Sequence, residues 1–387
     1  MENKKLKVAV FTDSFYPGTG GTERAVDGIA SGLVENGCEV MVCAPKYGKR
    51  DYKSEIYQIN RAKSIKLSDN SYLPIMTISA NFKKVLRAFK PDIIHCNTLS
   101  PFVGWAIRFS KNNNIPCVVT VHTKFSFYFS PKGKDSLLSK FKYKYICSQI
   151  KKCDRVCAVS NSMKAEFAKY GYFGDFDVVK NGSTFTSEEI SADVKKLAQA
   201  KYGISDEDNV LIFVGHVEKI KNIDFIFESL KIVDQKFENF KMMFVGSIDD
   251  KDFYDNVKNS SLKDKVVFTN NITSKEMLSS IYANAKLFLF PSVFDNDPLT
   301  IVESATHKVP SVVLENTGAS ERINNNETGF VIQDAQSMAE KIVYLLNNKS
   351  IIEQVGENAS KQLPIKWKDA SKRYLSIYYE TIRNFKK

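Results

Sequence analysis

Ten short apolar runs, spaced along 387 residues with amphipathic segments of helical length between them, restrict this chain more than any other feature. In order they are KVAVF, EVMVCA, DIIHC, CVVTVH and RVCAVS, then VLIFVG, KMMFVG, KVVFT, LFLFPS and SVVLE. A strand that is apolar on both sides must be covered on both faces, and parallel neighbours need a crossover helix. The alternation therefore predicts an α/β protein with parallel sheets. Five runs fall in each half, and the length exceeds what one core usually spans, so two doubly wound, Rossmann-like domains are expected. The polar stretch DVVKNGSTFTSEEISADVKK, with the turn pair Asn181 and Gly182, divides them. We place the first domain at 1–185, a linker at 186–207 and the second domain at 208–365. The segment 366–387 carries aromatic and aliphatic residues at helical spacing from Trp367 onward and must pack on some other surface.

The composition excludes several classes. A hydrophobic content of 43% is that of a globular chain. No apolar segment approaches the roughly 20 residues that span a bilayer, and the start MENKKLKVAVFTD has no cleavage pattern, so a cytoplasmic protein is expected. All seven cysteines lie in the first half without paired spacing and are read as buried, reduced thiols. A net charge of +11 favours acidic partners without choosing among them.

In open α/β sheets ligands bind beyond the carboxyl ends of the strands, and His95, His122 and His216 fall at such places. After the first run, FTDSFYPGTGGTERA brings Gly18, Gly20 and Gly21 to the start of a helix, where bare backbone can approach a phosphate. It lacks the third glycine of a dinucleotide fingerprint and the GK[ST] ending of a P-loop, so a tight strand-to-helix turn is the equal alternative. Lys219 and Lys221 follow His216 in a turn that could neutralise a diphosphate, although isolated surface lysines are usually only solvated. In PSVFDNDPLTIVESA, Asp295 and Glu303 flank an expected helix start, with Asp297 as cap and Pro298 as first residue. Asp295 and Asp297 could also be read as a metal-holding pair. Nothing nearby completes a shell, and the four histidines show no ligand spacing, so no metal is expected.

From Lys124 to Lys152 eight lysines, among them Lys132, Lys134, Lys140, Lys142 and Lys144, alternate with aromatic residues against one acid. Such a stretch suits an anionic membrane interface, where stems and rings are buried while ammonium groups meet lipid phosphate. An ordinary helix with a solvated lysine face is the plain alternative. Single-stranded nucleic acid is ranked last, and no nucleic-acid partner is expected.

Taken in order, YPGTGGTE, VVTVHT, CAVSNSMKAEF, VVKNG, VGHVEKIKNID, PSVFDNDPLTIVESA, NTGASERI and ETGFVI resemble the retaining nucleotide-sugar glycosyltransferases of family 4, also described as glycosyl transferases group 1. The likeness spans nearly the whole chain. It implies the GT-B fold of two facing Rossmann-like domains, with the C-terminal helix crossing back to the first. It further implies that a hexose moves from a nucleoside diphosphate sugar, UDP-linked by preference, to a lipid-linked or glycan acceptor in surface polysaccharide or glycolipid assembly. The protein would act as a peripheral protein on the inner face of the cell membrane.

By the same resemblance, His122 and Asp295 are the catalytic positions beside the transferred sugar. Glu303 holds the nucleotide ribose, and the amides around Leu299 and Thr300 face the diphosphate. Lys221 matches the diphosphate lysine, Gly20 and Gly21 the glycine pair facing the phosphates, and Glu321 an acid after a late glycine-rich turn. His216 stands where the family has its phosphate arginine, and Asn296, Asp297 and Pro298 replace a glycine-rich turn. No metal or cofactor is implied, because cations and amide dipoles stabilise the leaving diphosphate. His216 and Pro298 also admit a second reading, a catalytically silent, glycosyltransferase-like binding partner.

Overall fold

The computed structural model describes residues 5–18, 20–48, 52–67, 72–130, 136–183, 185, 186, 190 and 193–385. The chain forms two compact units, Met1–Thr184 together with Ile365–Lys387, and Phe185–Pro364.

The first unit contains strands β1 (Lys7–Phe11), β2 (Glu39–Pro45), β3 (Gln58–Ala62), β4 (Ser64–Lys66), β5 (Tyr72–Pro74), β6 (Ile93–Cys96), β7 (Cys117–Val121), β8 (Arg155–Ala158) and β9 (Asp177–Val178). Its helices are α1 (Gly21–Glu35), α2 (Ala80–Phe89), α3 (Pro101–Asn112), α4 (Ser126–Phe129), α5 (Leu137–Ile150) and α6 (Met163–Tyr170). Among the described residues a parallel sheet runs in the order β3-β2-β1-β6-β7-β8-β9, with β4 and β5 as a separate antiparallel pair. The central strands are apolar on both faces because helices cover both, as the runs required. β3, QINRA, was not foreseen: it is the edge strand, and polar residues are tolerated there.

The second unit holds α7 (Lys196–Tyr202), β10 (Val210–Val214), α8 (Ile223–Asp234), β11 (Lys241–Val245), α9 (Lys251–Lys258), β12 (Val266–Phe268), α10 (Lys275–Asn284), β13 (Ala285–Phe290), α11 (Leu299–Thr306), β14 (Ser311–Leu314), β15 (Gly329–Ile332), α12 (Ala335–Asn347) and α13 (Lys349–Gln362). Its parallel sheet has the order β12-β11-β10-β13-β14-β15. The stretch 186–207, expected to be a linker, instead carries α7. Ala198 is fully buried there and its amide donates to Ser280 Oγ at 2.8 Å, so this segment belongs to the second unit's packing.

Within the first unit, α14 (Trp367–Phe385) lies on α1, which is the partner that segment needed. Approach is close because Gly28 and Gly32 have no side chains. A Cβ on Gly28 would stand 2.1 Å from Trp367 Cε2, and one on Gly32 2.4 Å from the Trp367 carbonyl oxygen. Farther along α14, Tyr378 bonds His95 Nδ1 at 2.6 Å, and Thr120 Oγ1 bonds His95 Nε2 at 2.7 Å. His95 is therefore inside β6 and the core, not at a strand end as its place in the sequence suggested. Burial pushes its imidazole down to about 3, with His122 adding a smaller repulsion. All seven cysteines are free thiols; Cys153 is half-buried and the other six are buried.

Candidate active site

In the second unit the residues that follow β10, β11 and β13 come together at the carboxyl ends of those strands. The LFLF run becomes β13, buried from Leu287 to Phe290 and leading to Pro291 and Ser292. Asp295 lies in the following loop, where Ser292 Oγ donates to its Oδ2 at 2.6 Å. Lys221 reaches it from the turn after β10, with Nζ at 2.8 and 2.9 Å from the two carboxylate oxygens. Asn222 makes this possible. It adopts φ 60°, which asparagine tolerates better than most residues, and its Nδ2 donates to the Pro291 carbonyl at 3.2 Å. Lys221 also lies 5.0 Å over the Phe294 ring. The pair keeps access to solvent, with side-chain exposures of 13% and 19%.

Two residues on, Asp297 has a different task from the one expected. The N-cap of α11 is Pro298, and no side chain caps the helix. The Asp297 carboxylate instead accepts both edges of the Arg322 guanidinium, from Nε and, at 2.7 Å, from Nη2. Their side chains are 1% and 3% exposed. An acid this deeply buried needs a bidentate cation more than a helix needs a cap. The consequence for α11 is that its first amides have no capping side chain, the arrangement that favours an anion. Leu299 and Thr300 open that turn, and Thr300 Oγ1 is buried without a hydrogen-bond partner among the described residues.

Glu303, one turn along, is fully buried, and Tyr282 donates to its Oε2 at 3.1 Å. His307 Nδ1 donates to the Glu303 carbonyl at 2.8 Å and receives Ser279 Oγ on Nε2 at 2.7 Å, which fixes the ring's tautomer. Glu321 sits in the 3-10 turn Ser320–Arg322 beside the arginine that holds Asp297. His216 follows β10, where Asp249 Oδ2 and Ser247 Oγ each lie 2.8 Å from its Nδ1. Glu218 was missed by the sequence reading. Its carboxyl is lifted by burial, against the pull of Lys221 and His216 and with repulsion from Asp249 and Asp295, so these groups share one electrostatic neighbourhood.

In the first unit, Gly20 is the N-cap of α1 and Gly21 its first residue, again with no side-chain cap. Glu23, in the first turn, is buried and takes a hydrogen bond from Ser14 Oγ. His122 follows β7, and its Nε2 donates to Asn97 Oδ1 at 3.2 Å, beyond the end of β6. Asp13, just past β1, also escaped the sequence reading; burial raises its carboxyl. The glycine pair and His122 thus follow carboxyl ends of strands in one sheet. A groove of about 1580 Å³ along β3, lined by Lys46, Arg61 and Ile78 among others, contains none of the predicted site residues.

The lysines of the basic stretch divide. Lys132 and Lys134 lie outside the described residues. Lys140, Lys142 and Lys144 are exposed on α5, whose buried side is Ser139, Tyr143, Ile146, Cys147, Gln149 and Ile150. Leu137, Leu138, Phe141 and Tyr145 are also exposed on this helix, from 46% to 74%. Among the described residues no helix is long and apolar enough to cross a membrane, and no group of three or more His, Cys, Asp or Glu is placed to hold a metal ion.

Comparison with known proteins gives these positions a context. Residues 19–183 match the model of Glycosyltransferase Family 4, and residues 194–362 match that of glycosyl transferases group 1. The chain is 21% identical over 374 residues to an alpha-monoglucosyldiacylglycerol synthase of Acholeplasma laidlawii, covering 92% of each chain. It is 24% identical over 337 residues to a GDP-mannose-dependent alpha-mannosyltransferase of Corynebacterium glutamicum, covering 85% of this chain and 77% of that one. Among solved structures, HepE from Anabaena in complex with UDP and glucose superposes with a TM-score of 0.76 at 17% identity, covering 97% of this chain and 99% of that one. The two-unit architecture with parallel sheets is that of GT-B proteins.

Proposed function

The chain belongs to the family 4 glycosyltransferases, with the GT-B fold, and from that premise we propose that it transfers a hexose from a UDP-sugar to a lipid-linked or glycan acceptor with retention at the anomeric carbon. The observation that carries the reading is the accessible Lys221 and Asp295 pair beside the uncapped start of α11. A cation and oriented amides at one strand-end are what a departing diphosphate needs, and they act without a metal ion. Lys221 and the amides of Leu299 and Thr300 take the diphosphate, and Glu303 takes the ribose. Asp295 lies by the anomeric centre as positive charge develops there. By the family resemblance, His122 is assigned to the transferred sugar and Gly20 and Gly21 to the phosphates. The acceptor hydroxyl attacks on the face from which the diphosphate leaves, and the donor's own phosphate oxygen takes its proton.

The named relatives divide on the nucleotide: one is named for GDP-mannose, and one structure holds UDP with glucose. The preference for a lipid acceptor is supported by the glycolipid synthase among the relatives and by the exposed face of α5. There Leu137, Phe141 and Tyr145 lie at i, i+4 and i+8 beside Lys140, Lys142 and Lys144, so apolar groups enter the interface while ammonium groups meet anionic lipid. We place the protein on the inner face of the cell membrane by this surface.

The test is a panel of UDP-, GDP- and ADP-sugars, scored by thermal stabilisation and by transfer with and without anionic vesicles. Stabilisation and turnover with a UDP-hexose, an α product from an α donor, and activity that survives a strong chelator are expected. Folded protein that neither binds nor turns over any donor would end the enzyme reading. Binding without turnover would favour the silent partner instead, a reading motivated by His216 in the arginine position.

A further inference from the structure

We infer that the β4–β5 ribbon is a second membrane contact of the first unit, whose outer face enters the surface of an anionic bilayer while the lysines beside it meet lipid phosphate. The inference rests on the membrane placement proposed above and extends it from α5 to the ribbon that follows the edge strand β3.

The register fixes which way each side chain points. Directly opposed residues of an antiparallel pair share a face, and successive residues along a strand alternate. β4 pairs Ser64 with Pro74, Ile65 with Leu73 and Lys66 with Tyr72, and the Ile75 amide continues the ladder by donating to the Lys63 carbonyl at 2.7 Å. Ser64 and Tyr72 belong to the face turned toward the unit. Ser64 Oγ accepts the Lys46 amide at 3.1 Å, and the Tyr72 ring lies 4.7 Å from that of the buried Tyr47. The opposite face therefore carries Lys63, Ile65, Leu73 and Ile75, and Leu67 continues the row past Ile65. Ile65 is 48% exposed and Leu67 61%, while Leu73 and Ile75 are half-buried. This inverts the usual order, in which a ribbon on a water-facing surface turns its apolar residues inward.

The surroundings repeat the pattern. The 3-10 turn Met76–Ile78 follows β5 with no residue buried, and Ile78 is exposed at its end. Ile78 and the exposed Ile56 line the groove along β3, where five cations stand against two acids. One of those acids, Glu39, is already bridged by Lys7 at 3.0 Å. Lys46, Lys53 and Lys63 are the exposed cations nearest the ribbon in sequence. Aliphatic groups beside an excess of lysines match the two halves of an anionic lipid surface: acyl chains receive the first and phosphates the second. Single-stranded nucleic acid would call for exposed rings on which bases stack, and the outer face has none. A second copy of this chain would bring the same lysines against themselves in a two-fold contact, where like charges repel.

Position joins this surface to α5. Only Lys63 separates β3 from β4, so the ribbon lies at the carboxyl end of the parallel sheet. α5 ends shortly before β8 begins, at the amino end, so its first turns, with the exposed Leu137, Leu138 and Phe141, lie toward the carboxyl end. Two apolar faces flanked by lysines thus stand at one end of one sheet, where a single lipid surface meets both.

The experiment is flotation of the full chain with vesicles of phosphatidylcholine alone and of phosphatidylcholine with phosphatidylglycerol. The parent should float with the anionic vesicles. Ile65→Ser with Leu67→Ser should weaken that binding about tenfold, the order expected when two partly inserted aliphatic groups are lost. Lys46→Gln with Lys63→Gln should weaken it about tenfold on anionic vesicles and leave any binding to neutral ones unchanged. In Leu67→Trp the added indole should shift its emission to the blue with anionic vesicles and be quenched by brominated acyl chains, which a folding defect does not imitate. The variants should keep the parent's melting temperature, because the replaced side chains are exposed. Parent binding that is unchanged in Ile65→Ser with Leu67→Ser, with the indole of Leu67→Trp unquenched, would overturn the inference and leave the α5 contact standing. A dimeric parent that Ile65→Ser with Leu67→Ser separates would overturn it too, by giving this face to a second copy. A folded parent that floats with neither kind of vesicle would bring down the membrane placement and this inference with it.

Discussion

In the first unit His95 is buried as a neutral ring between Tyr378 and Thr120, whereas in the second Asp297 and Arg322 are buried as an ion pair. Both tie distant segments of one unit together, β6 to the C-terminal helix in one case and the loop before α11 to the turn after β14 in the other. They fail in opposite ways. A neutral ring in a dry site is lost when it must take up a proton; a buried ion pair is lost when one member is removed. Each anchor also has a neighbour of the same residue type with more solvent, and it is this neighbour that we assign to the proposed site. His122, two residues past Thr120, is half-buried, and Asp295, two residues before Asp297, keeps 19% of its side-chain surface. On the proposed assignment, structural and functional versions of the same residue type differ by burial, not by identity.

The largest effect should come from Arg322→Ala, which leaves Asp297 buried without its bidentate partner. A loss of roughly 3–5 kcal/mol is expected in urea unfolding of the second unit. Replacing both at once, Asp297→Leu with Arg322→Met, should recover most of it. If the single variant were as stable as the parent, the pair would be no anchor.

Acid should select the first unit. Burial brings the His95 imidazole down to about 3 in the folded chain, against 6.5 for a free imidazole, so between those values the unfolded chain binds the extra proton and the folded one does not. Stability carried by the neutral ring is therefore complete above pH 6.5 and falls as pH drops toward 3. By pH 4 the loss should be about 3 kcal/mol, and His95→Gln should remove that slope while lowering stability at neutral pH. Unfolding of the first unit with no acid dependence traceable to position 95 would refute the assignment.

These two anchors also mark where the sequence stopped being legible. The β-sheet runs could be read because burial on both faces forces continuous apolar stretches, and the turn residues bounded them. β3 could not, because an edge strand needs no such run. His95 looked like a strand-end residue because DIIHC ends the apolar run, and only the packing of a helix nearly 280 residues later makes it core. Asp297 looked like a cap because local spacing suits one, while its true partner is 25 residues away with no local signal. Asp295, Glu303, Lys221 and His216 are assigned to the proposed site through motif order alone. What no motif disclosed was that Lys221 sits on Asp295, or that Asp249 sits on His216.

Lys221→Ala sharpens the contrast with Arg322. The Lys221 pair is half-buried where Asp297 and Arg322 are fully enclosed, so its removal should cost less unfolding stability than Arg322→Ala, on the order of 1–2 kcal/mol. Transfer should nevertheless drop about a hundredfold in kcat/KM, because a diphosphate-stabilising cation is lost. A variant that lost stability and kept its rate would put Lys221 among the structural residues.

Glu303→Gln is the subtlest test, because Glu303 is as buried as His95 and yet is assigned to the ribose. Its Oε2 accepts from Tyr282, whose ring stacks on His307 at 5.2 Å, and His307 holds the Glu303 carbonyl. That scaffold fixes the carboxylate before any ligand arrives. A ribose hydroxyl bonded to a carboxylate gains more than one bonded to an amide, so the glutamine should weaken donor binding about tenfold and leave kcat nearly unchanged. Tyr282→Phe, which removes one donor while keeping the ring, should weaken binding by only about two- to threefold, since it loosens the carboxylate without neutralising it. If both variants unfolded alike and those that folded bound donor normally, Glu303 would belong with Asp297 as an internal tie. If binding falls while unfolding is unchanged, burial at this position serves to aim a charge.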